Sequence, residues 1–343
     1  MKKKFIFFRH DRLGDFLIVT SLIKSLKKKF PNSKIIVFCS PLNFKFIKSY
    51  KLIDKVILYD KKFSLKKKYN IFNKIIKDEY YASFSIDGKS ISNLFNFFLK
   101  SKYKLGIVYR YIFLGLWLTK PNFFYTKLIF NKYETFTSKK YLNKIEHLPS
   151  KIISLGNFFK LNLKPSNKYF FLYNKKFDTQ FHIIKKKIKG KYILIHLDEK
   201  WQDIKNINND LYNFVSNMQS ETGQNIIITS YKNKFDYYKI LKTRLNKKIN
   251  KKIHLFDNFN LELMERFINY SSYSISCHSG FLVQVAGANT SKIIDIINNN
   301  DYKWYSCWKP KNTVHKFVFK SIVNKISLTI ILKSILSIIN KGD

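Results

Sequence analysis

The sequence predicts an α/β protein of two tandem domains, each built on a doubly wound parallel sheet, and three observations carry that expectation. At 343 residues the chain is long enough for two domains of ordinary size, each burying its own core. Hydrophobic residues make up 45% and aromatics 17%, which excludes a disordered chain. Short apolar runs alternate with segments of helical period, and the rhythm restarts after a stretch, Asn162 to Tyr169, that holds Pro165, Ser166 and Asn167 and reads as a linker. The domains are therefore expected over 1–165 and 166–343.

In the first half, Phe5 to Phe8 is a short buried strand. A helix follows from Asp15 to Phe30, with apolar positions Phe16, Leu17, Val19, Leu22, Ile23 and Leu26, and Pro31 stops it. Strands are expected at Ile35 to Phe38, Val56 to Tyr59 and Ala82 to Ile86, and helices near Asn43 to Tyr50, Lys67 to Lys77 and Leu94 to Leu99. A helical stretch from Lys139 to Leu161 completes the first domain. The second half reads as strands at Tyr192 to Leu197, Ile226 to Thr229, Ile253 to Phe256, Tyr273 to Cys277 and Lys292 to Ile297. Between them lie helices within Asn208 to Glu221, Phe235 to Leu245, Leu261 to Tyr270 and Phe281 to Ala288. Strands alternating with helices imply parallel sheets covered on both faces, hence two Rossmann-like domains. Such sheets bind ligands at the carboxyl ends of their strands, so the active site is expected in a cleft that the two domains face.

Lys and Arg number 64 against 22 Asp and Glu, a net charge of +42, which raises nucleic acid as a partner. The excess is mostly Lys spread along the chain beside Ile, Asn, Phe and Tyr, as AT-rich codon usage also produces. No zinc-finger, helix-turn-helix or RNP-like pattern accompanies it, so an anionic membrane surface is the preferred partner and nucleic acid is not expected. Cys39, Cys277 and Cys307 are odd in number and widely spaced, which suits a reducing cytoplasm and not a disulfide framework. The opening Met1 to Phe8 starts like a signal peptide, but Arg9, His10, Asp11, Arg12 and Asp15 cut the apolar run short. The tail from Ile326 to Ile339 carries Lys333 in its middle and is short for a span. It is expected as a packed or interfacial helix, one that can return to the first domain.

The loop Arg9-His10-Asp11-Arg12-Leu13-Gly14-Asp15, between strand and helix, resembles the R-x-D-x-x-G-D opening of family 9 glycosyltransferases, the ADP-heptose:lipopolysaccharide heptosyltransferases. Leu52 to Asp60 and Tyr80 to Ile107 resemble the family's next blocks, the second including its acceptor-side loop. In the second half, Leu194 to Asp203 is similar to the donor-phosphate loop, with Lys200 and Trp201 as the family's Lys near a Trp. The stretch from Ser274 to Ile297 is similar to the D-[ST]-G-x-x-H-x-A-A-A donor motif, with Ser279, Gly280 and Ala286 matching. His278 stands where most members have Asp, and Val283 where they have His, so Cys277-His278-Ser279-Gly280 reads as a divergent subgroup form.

The resemblance implies the GT-B type of glycosyltransferase fold and an inverting transfer of a sugar, heptose from an ADP-activated donor, onto a lipopolysaccharide core or related membrane-linked glycan. It also implies a cytoplasmic enzyme peripheral on the inner membrane. Such a transfer needs a base for the acceptor hydroxyl and cationic or hydrogen-bonding groups for the leaving diphosphate. Asp15 is the candidate base, although an Asp at a helix start also serves as a cap. Gly14 allows close backbone approach or a positive φ, or is a plain turn glycine. Arg9 and Arg12 suit an acidic acceptor group, or are surface charges. Asp87-Gly88-Lys89 is a turn that can also contact the acceptor.

Lys200 and Trp201, His278, and the backbone N–H groups of Ser279, Gly280 and Phe281 are the candidate donor contacts. No acidic pair of the DxD kind sits at a strand end in the second half, so neither a metal nor another cofactor is expected. The competing reading is a non-catalytic basic protein that binds anionic lipid or nucleic acid on the same scaffold, and it would need neither Asp15 in its loop nor the phosphate loops. A third, an epimerase or other nucleotide-sugar enzyme, would want a GxGxxG loop after the first strand, which is missing.

Overall fold

The structure, a computed structural model, describes residues 2–113, 116–119, 125–132, 147–161, 163, 175–230, 235–247, 250–257, 259–288, 291–311, 313–321 and 324–342. It divides into two compact units, Met1–Phe170 and Phe171–Asp343.

The first unit opens with β1 (Lys4–Arg9) and α1 (Leu13–Lys29), followed by β2 (Lys34–Cys39), α2 (Pro41–Ser49), β3 (Lys55–Leu58), α3 (Leu65–Lys77), β4 (Glu79–Ser85), α4 (Ser90–Phe98) and β5 (Lys100–Phe113). The strands run in the order β3-β2-β1-β4-β5, parallel throughout. β6 (Leu116–Thr119) adds antiparallel to β5, and β7 (Lys127–Lys132) pairs parallel with it. β1 reads as an unbroken apolar run because both of its faces are covered. Ile6 and Phe8 join Ile36, Phe38 and Phe95 in one core, while Phe7 stacks on Phe84 with ring centroids 4.4 Å apart. α1 ends at Lys29, with Phe30 as its C-cap just before Pro31, and Lys27, Lys28 and Lys29 lie in its last turn, where cations suit the helix dipole.

β5 to β7 were not legible in the sequence, because the first of them begins within a lysine cluster. Of the helical stretch expected over 139–161, residues 139–146 lie outside the described residues. The rest is α5 (Leu148–Ser154) and a 3-10 turn, Leu155–Phe159. The linker expected over 162–169 also lies outside them, residue 163 excepted.

In the second unit α6 (Lys175–Lys187) precedes β8 (Tyr192–Leu197), α7 (Ile207–Thr222), β9 (Asn225–Ser230), α8 (Asp236–Lys247), β10 (Ile253–Asp257), α9 (Leu261–Tyr270) and β11 (Tyr273–Ser276). Then come α10 (Gly280–Gly287), β12 (Lys292–Asn298), α11 (Tyr302–Cys307), β13 (His315–Ser321) and α12 (Leu328–Asn340). All six strands are parallel, in the order β10-β9-β8-β11-β12-β13. α6, α11 and β13 escaped the sequence reading. α12, expected as a packed or interfacial helix, is a layer of the second unit. Leu328, Ile331, Leu332 and Ile335 enter the same core as Leu211, Phe214 and Val318. Among the described residues no helix is long and apolar enough to cross a membrane.

Each sheet reverses its winding direction beside its first strand, between β1 and β4 and between β8 and β11, and such switch points are where parallel sheets receive ligands. The register fixes which loops meet there. Phe8 lies opposite Ser85, so Arg9-His10 and Ile86-Asp87 leave the first sheet side by side. Ser276 lies opposite His196, so Cys277-His278 and Leu197-Asp198 do the same in the second.

Candidate functional site

In the first unit the loop after β1 is organised around a buried guanidinium. Arg9 is 1% exposed; its Nη1 donates to the Ile86 carbonyl at 2.8 Å, and its Nε donates to the Asp15 carbonyl at 3.0 Å. Nη1 also pairs with Asp11 Oδ2 at 2.9 Å. A buried charge persists only when paired and hydrogen-bonded, and the fork of Arg can do this for three chain segments at once. Arg9, expected as an acceptor contact or a surface charge, is neither: it is the buried brace of the loop. Asn43, at the start of α2, donates to the Arg9 carbonyl at 3.0 Å and supports the loop from the other side.

Asp15 lies in the first turn of α1, half-buried, with Oδ2 accepting the Arg12 backbone N–H at 3.2 Å. The capping bond is therefore present, and among the described residues it occupies one carboxylate oxygen only. Burial pushes the Asp11 carboxyl well above its usual range; Arg9 opposes this, and Asp15 and Asp87 reinforce it. Asp11 Oδ1 is buried without a hydrogen-bond partner among the described residues. Asp11 was not singled out as a site residue, although it stands inside the motif. Arg12 remains exposed. Gly14 is buried within α1 and does not adopt a positive φ.

The turn after β4 is structural first. Asp87 Oδ2 accepts from the His10 backbone N–H at 3.0 Å and from Ser92 Oγ at 2.6 Å, and Oδ1 accepts from the Lys89 backbone N–H at 3.0 Å. Gly88 takes φ +64°, which a glycine adopts without strain, and Lys89 Nζ donates to the His10 carbonyl. Asp87, Gly88 and Lys89 thus lock the two loops together, with both Asp87 carboxylate oxygens and one donor of the Lys89 ammonium engaged.

In the second unit the loop after β8 brings Lys200 Nζ to the His278 carbonyl at 2.8 Å, so the two expected donor loops meet. Trp201 is a correction: it is fully buried in the core, and its Nε1 donates to the His196 carbonyl at 2.9 Å, leaving no face for a ligand. Lys320, from β13, donates to the Lys200 carbonyl at 2.5 Å and to Asp203 at 3.0 Å. Burial raises the Asp198 carboxyl to about 6, against the pull of Lys200.

His278 sits in the turn between β11 and α10 with φ +56°, a conformation that costs a non-glycine residue about 1–3 kcal/mol and is most often met at functional sites. Its Nδ1 lies 2.6 Å from Asp295 Oδ2, and its ring stacks on Tyr305 at a centroid distance of 3.4 Å. Asp295 is fully buried, and His315 Nε2 approaches the same oxygen at 3.4 Å. Burial works to raise the Asp295 carboxyl, yet the two imidazoles prevail and hold it well below the usual range. The Ser279 backbone N–H, expected at a phosphate, is held by Ser276 Oγ at 3.0 Å, while Gly280 and Phe281 open α10 with the Phe281 ring buried. Asp295, His315 and Tyr305 were missed; a lone Asp in the apolar run Lys292 to Asn298 was the available signal, since a buried carboxylate needs a partner. Among the described residues, no group of three or more His, Cys, Asp or Glu side chains is arranged to hold a metal ion.

Two tandem Rossmann-like units with these strand orders define the GT-B type of fold. The chain is similar over its whole length to the crystal structure of a family 9 glycosyltransferase from Veillonella parvula, with 13% identity, a TM-score of 0.64, and 100% of this chain and 92% of that one covered. It is similar to the E. coli heptosyltransferase WaaC with ADP at 12% identity and a TM-score of 0.66, covering 99% and 100%. A UDP-GlcNAc 2-epimerase from Methanocaldococcus jannaschii has the same fold at 11% identity and a TM-score of 0.56, covering 98% and 92%. No protein-family model matches the chain, and neither does any curated protein.

Proposed function

We propose that this chain is an inverting glycosyltransferase of the family 9 type, moving a sugar from a nucleotide donor to a glycan acceptor. The observation that carries the reading is Asp15: a half-buried carboxylate at the switch point of the first sheet, in a loop built around Arg9 that matches the family's opening motif. In this reading Asp15 takes the proton of the acceptor hydroxyl as that oxygen bonds to the anomeric carbon, and the bond to the diphosphate breaks. Lys200 and the turn at His278 and Gly280 hold the negative charge that then develops. Heptose from an ADP donor and a lipopolysaccharide-type acceptor are the finer form of the proposal, supported by the resemblance of the loops. The epimerases share the fold, so the chemistry at Asp15 must separate the two. A thermal-shift screen of ADP-, UDP-, GDP- and CMP-sugars tests the donor side. Lys200→Ala is expected to weaken the best nucleotide by about tenfold, the worth of one charge-assisted hydrogen bond. Unchanged affinity in both Lys200→Ala and Gly280→Val would move the donor site elsewhere.

The reading includes a cytoplasmic enzyme held at an anionic membrane surface by its first unit. Leu65 is 82% exposed, Tyr69 64%, Leu94 50% and Phe98 50%, all on α3 and α4. Lys61, Lys62, Lys66, Lys67, Lys100 and Lys102 are exposed around them. Phe63 is partly covered by Lys67, and Lys104 is tied to the Phe97 carbonyl at 2.7 Å, so neither belongs fully to the free surface. Each basic residue contributes about 1 kcal/mol near anionic lipid, so several suffice for reversible attachment. Flotation with anionic vesicles is expected to recover the protein at low salt and to lose it as salt rises, given a Debye length of about 10 Å at 0.1 M. Salt-resistant binding would assign the contact to apolar insertion, and absence of binding at low salt would remove the proposal.

A further inference from the structure

The Asp295 and His278 pair is not explained by folding alone. A carboxylate with no exposure is placed in the middle of an otherwise apolar strand, and its best contact is a histidine held in a left-handed turn at the carboxyl edge of the sheet. The same histidine's carbonyl receives Lys200 Nζ, and Tyr305 covers a face of its ring. With Nδ1 committed to Asp295, the ring has one nitrogen left, Nε2, for which no hydrogen-bond partner exists among the described residues. In a neutral ring with its hydrogen on Nδ1, Nε2 offers only a lone pair; in the imidazolium both nitrogens donate. Nε2 is therefore the one ring atom that an arriving phosphate could meet, on the side of the ring away from the Asp295 carboxylate.

We infer that His278 is a diphosphate-binding side chain of the second unit's site and that buried Asp295 positions it, so that a histidine-carboxylate dyad takes over phosphate binding beside Lys200. The inference rests on the glycosyltransferase reading for the identity of its ligand, and it explains why His stands where the family's motif has Asp. Asp295 stays ionised beside its two imidazoles, so the dyad has a fixed negative member and a donor aimed away from it. His315 Nε2, from β13, lies 3.4 Å from the same Asp295 oxygen.

The test measures ADP and UDP binding by calorimetry, each against its own nucleoside, in the wild-type chain and in His278→Gln, Asp295→Asn and the double variant. His278→Gln is expected to weaken the better diphosphate about tenfold or more and to leave the nucleoside unchanged, because only the phosphates meet the imidazole. Asp295→Asn is expected to produce a loss of the same kind, and the double variant no further loss, since the two residues act as one unit. Damage to the fold would weaken nucleoside and diphosphate together, and a melting curve identifies it. Should Asp295→Asn fail to fold, His278→Gln decides the matter with the same selective readout. If the wild type binds a diphosphate and His278→Gln binds it as tightly, the dyad is overturned and the glycosyltransferase reading stands. If the wild type binds neither diphosphate, the dyad is overturned, and the wider nucleotide-sugar screen decides the glycosyltransferase reading separately.

Discussion

Asp15→Asn is expected to leave the first unit folded and to lower sugar transfer by about a thousandfold, the middle of the range for removing a general base. The amide oxygen can still accept the Arg12 backbone N–H that Asp15 Oδ2 accepts at 3.2 Å, so the cap survives in large part. What is lost is the capacity to take a proton. The measurement is turnover with a lipid-linked acceptor extract and the best nucleotide sugar, together with a melting curve for the variant. A folded variant with near-normal turnover would remove Asp15 as the base, and an epimerase-type reaction would then regain ground.

Replacing Arg9 with Met should produce the largest loss of stability of any single change in the loop. The guanidinium is 1% exposed and serves the Ile86 and Asp15 carbonyls and the Asp11 carboxylate. Methionine fills some of the volume but leaves a half-buried carboxylate unpaired and two carbonyls without their donors, at a cost of about 3–5 kcal/mol. For a unit of this size that corresponds to a melting temperature about 10 °C lower. An Arg exposed for acceptor binding would change stability by no more than about 0.5 kcal/mol. Thermal or urea unfolding of Arg9→Met separates the two, and an unchanged midpoint would contradict the buried network.

Much of the architecture was legible because both cores announce themselves locally. Runs such as Ile35 to Phe38 and Ile226 to Ile228 are apolar without alternation, as strands covered on both faces must be, and Pro31 and Gly223 punctuate the helices between them. β5 and β13 were not legible, since β5 opens with a lysine at every second residue and β13 flanks Phe317 to Phe319 with Lys316 and Lys320, patterns that equally fit a solvated surface until the neighbouring strand is known.

The site divides along the same line. Residue order alone marked the two loops and the residue types in them, because Arg9 to Asp15 and Cys277 to Gly280 each lead from an apolar strand into a helix. It could not say which of those polar side chains point inward. Arg9, Asp87 and Trp201 are of kinds that bind ligands as readily as they brace loops or fill cores; the register of β1 against β4 brings the Arg9 and Asp87 loops together, and packing beside Phe214 of α7 buries Trp201. Asp295 is the converse case. It lies 17 residues from His278 in the chain, and only the pairing of β11 with β12 brings its carboxylate to the imidazole, because a contact between strands is set by the sheet and not by sequence spacing.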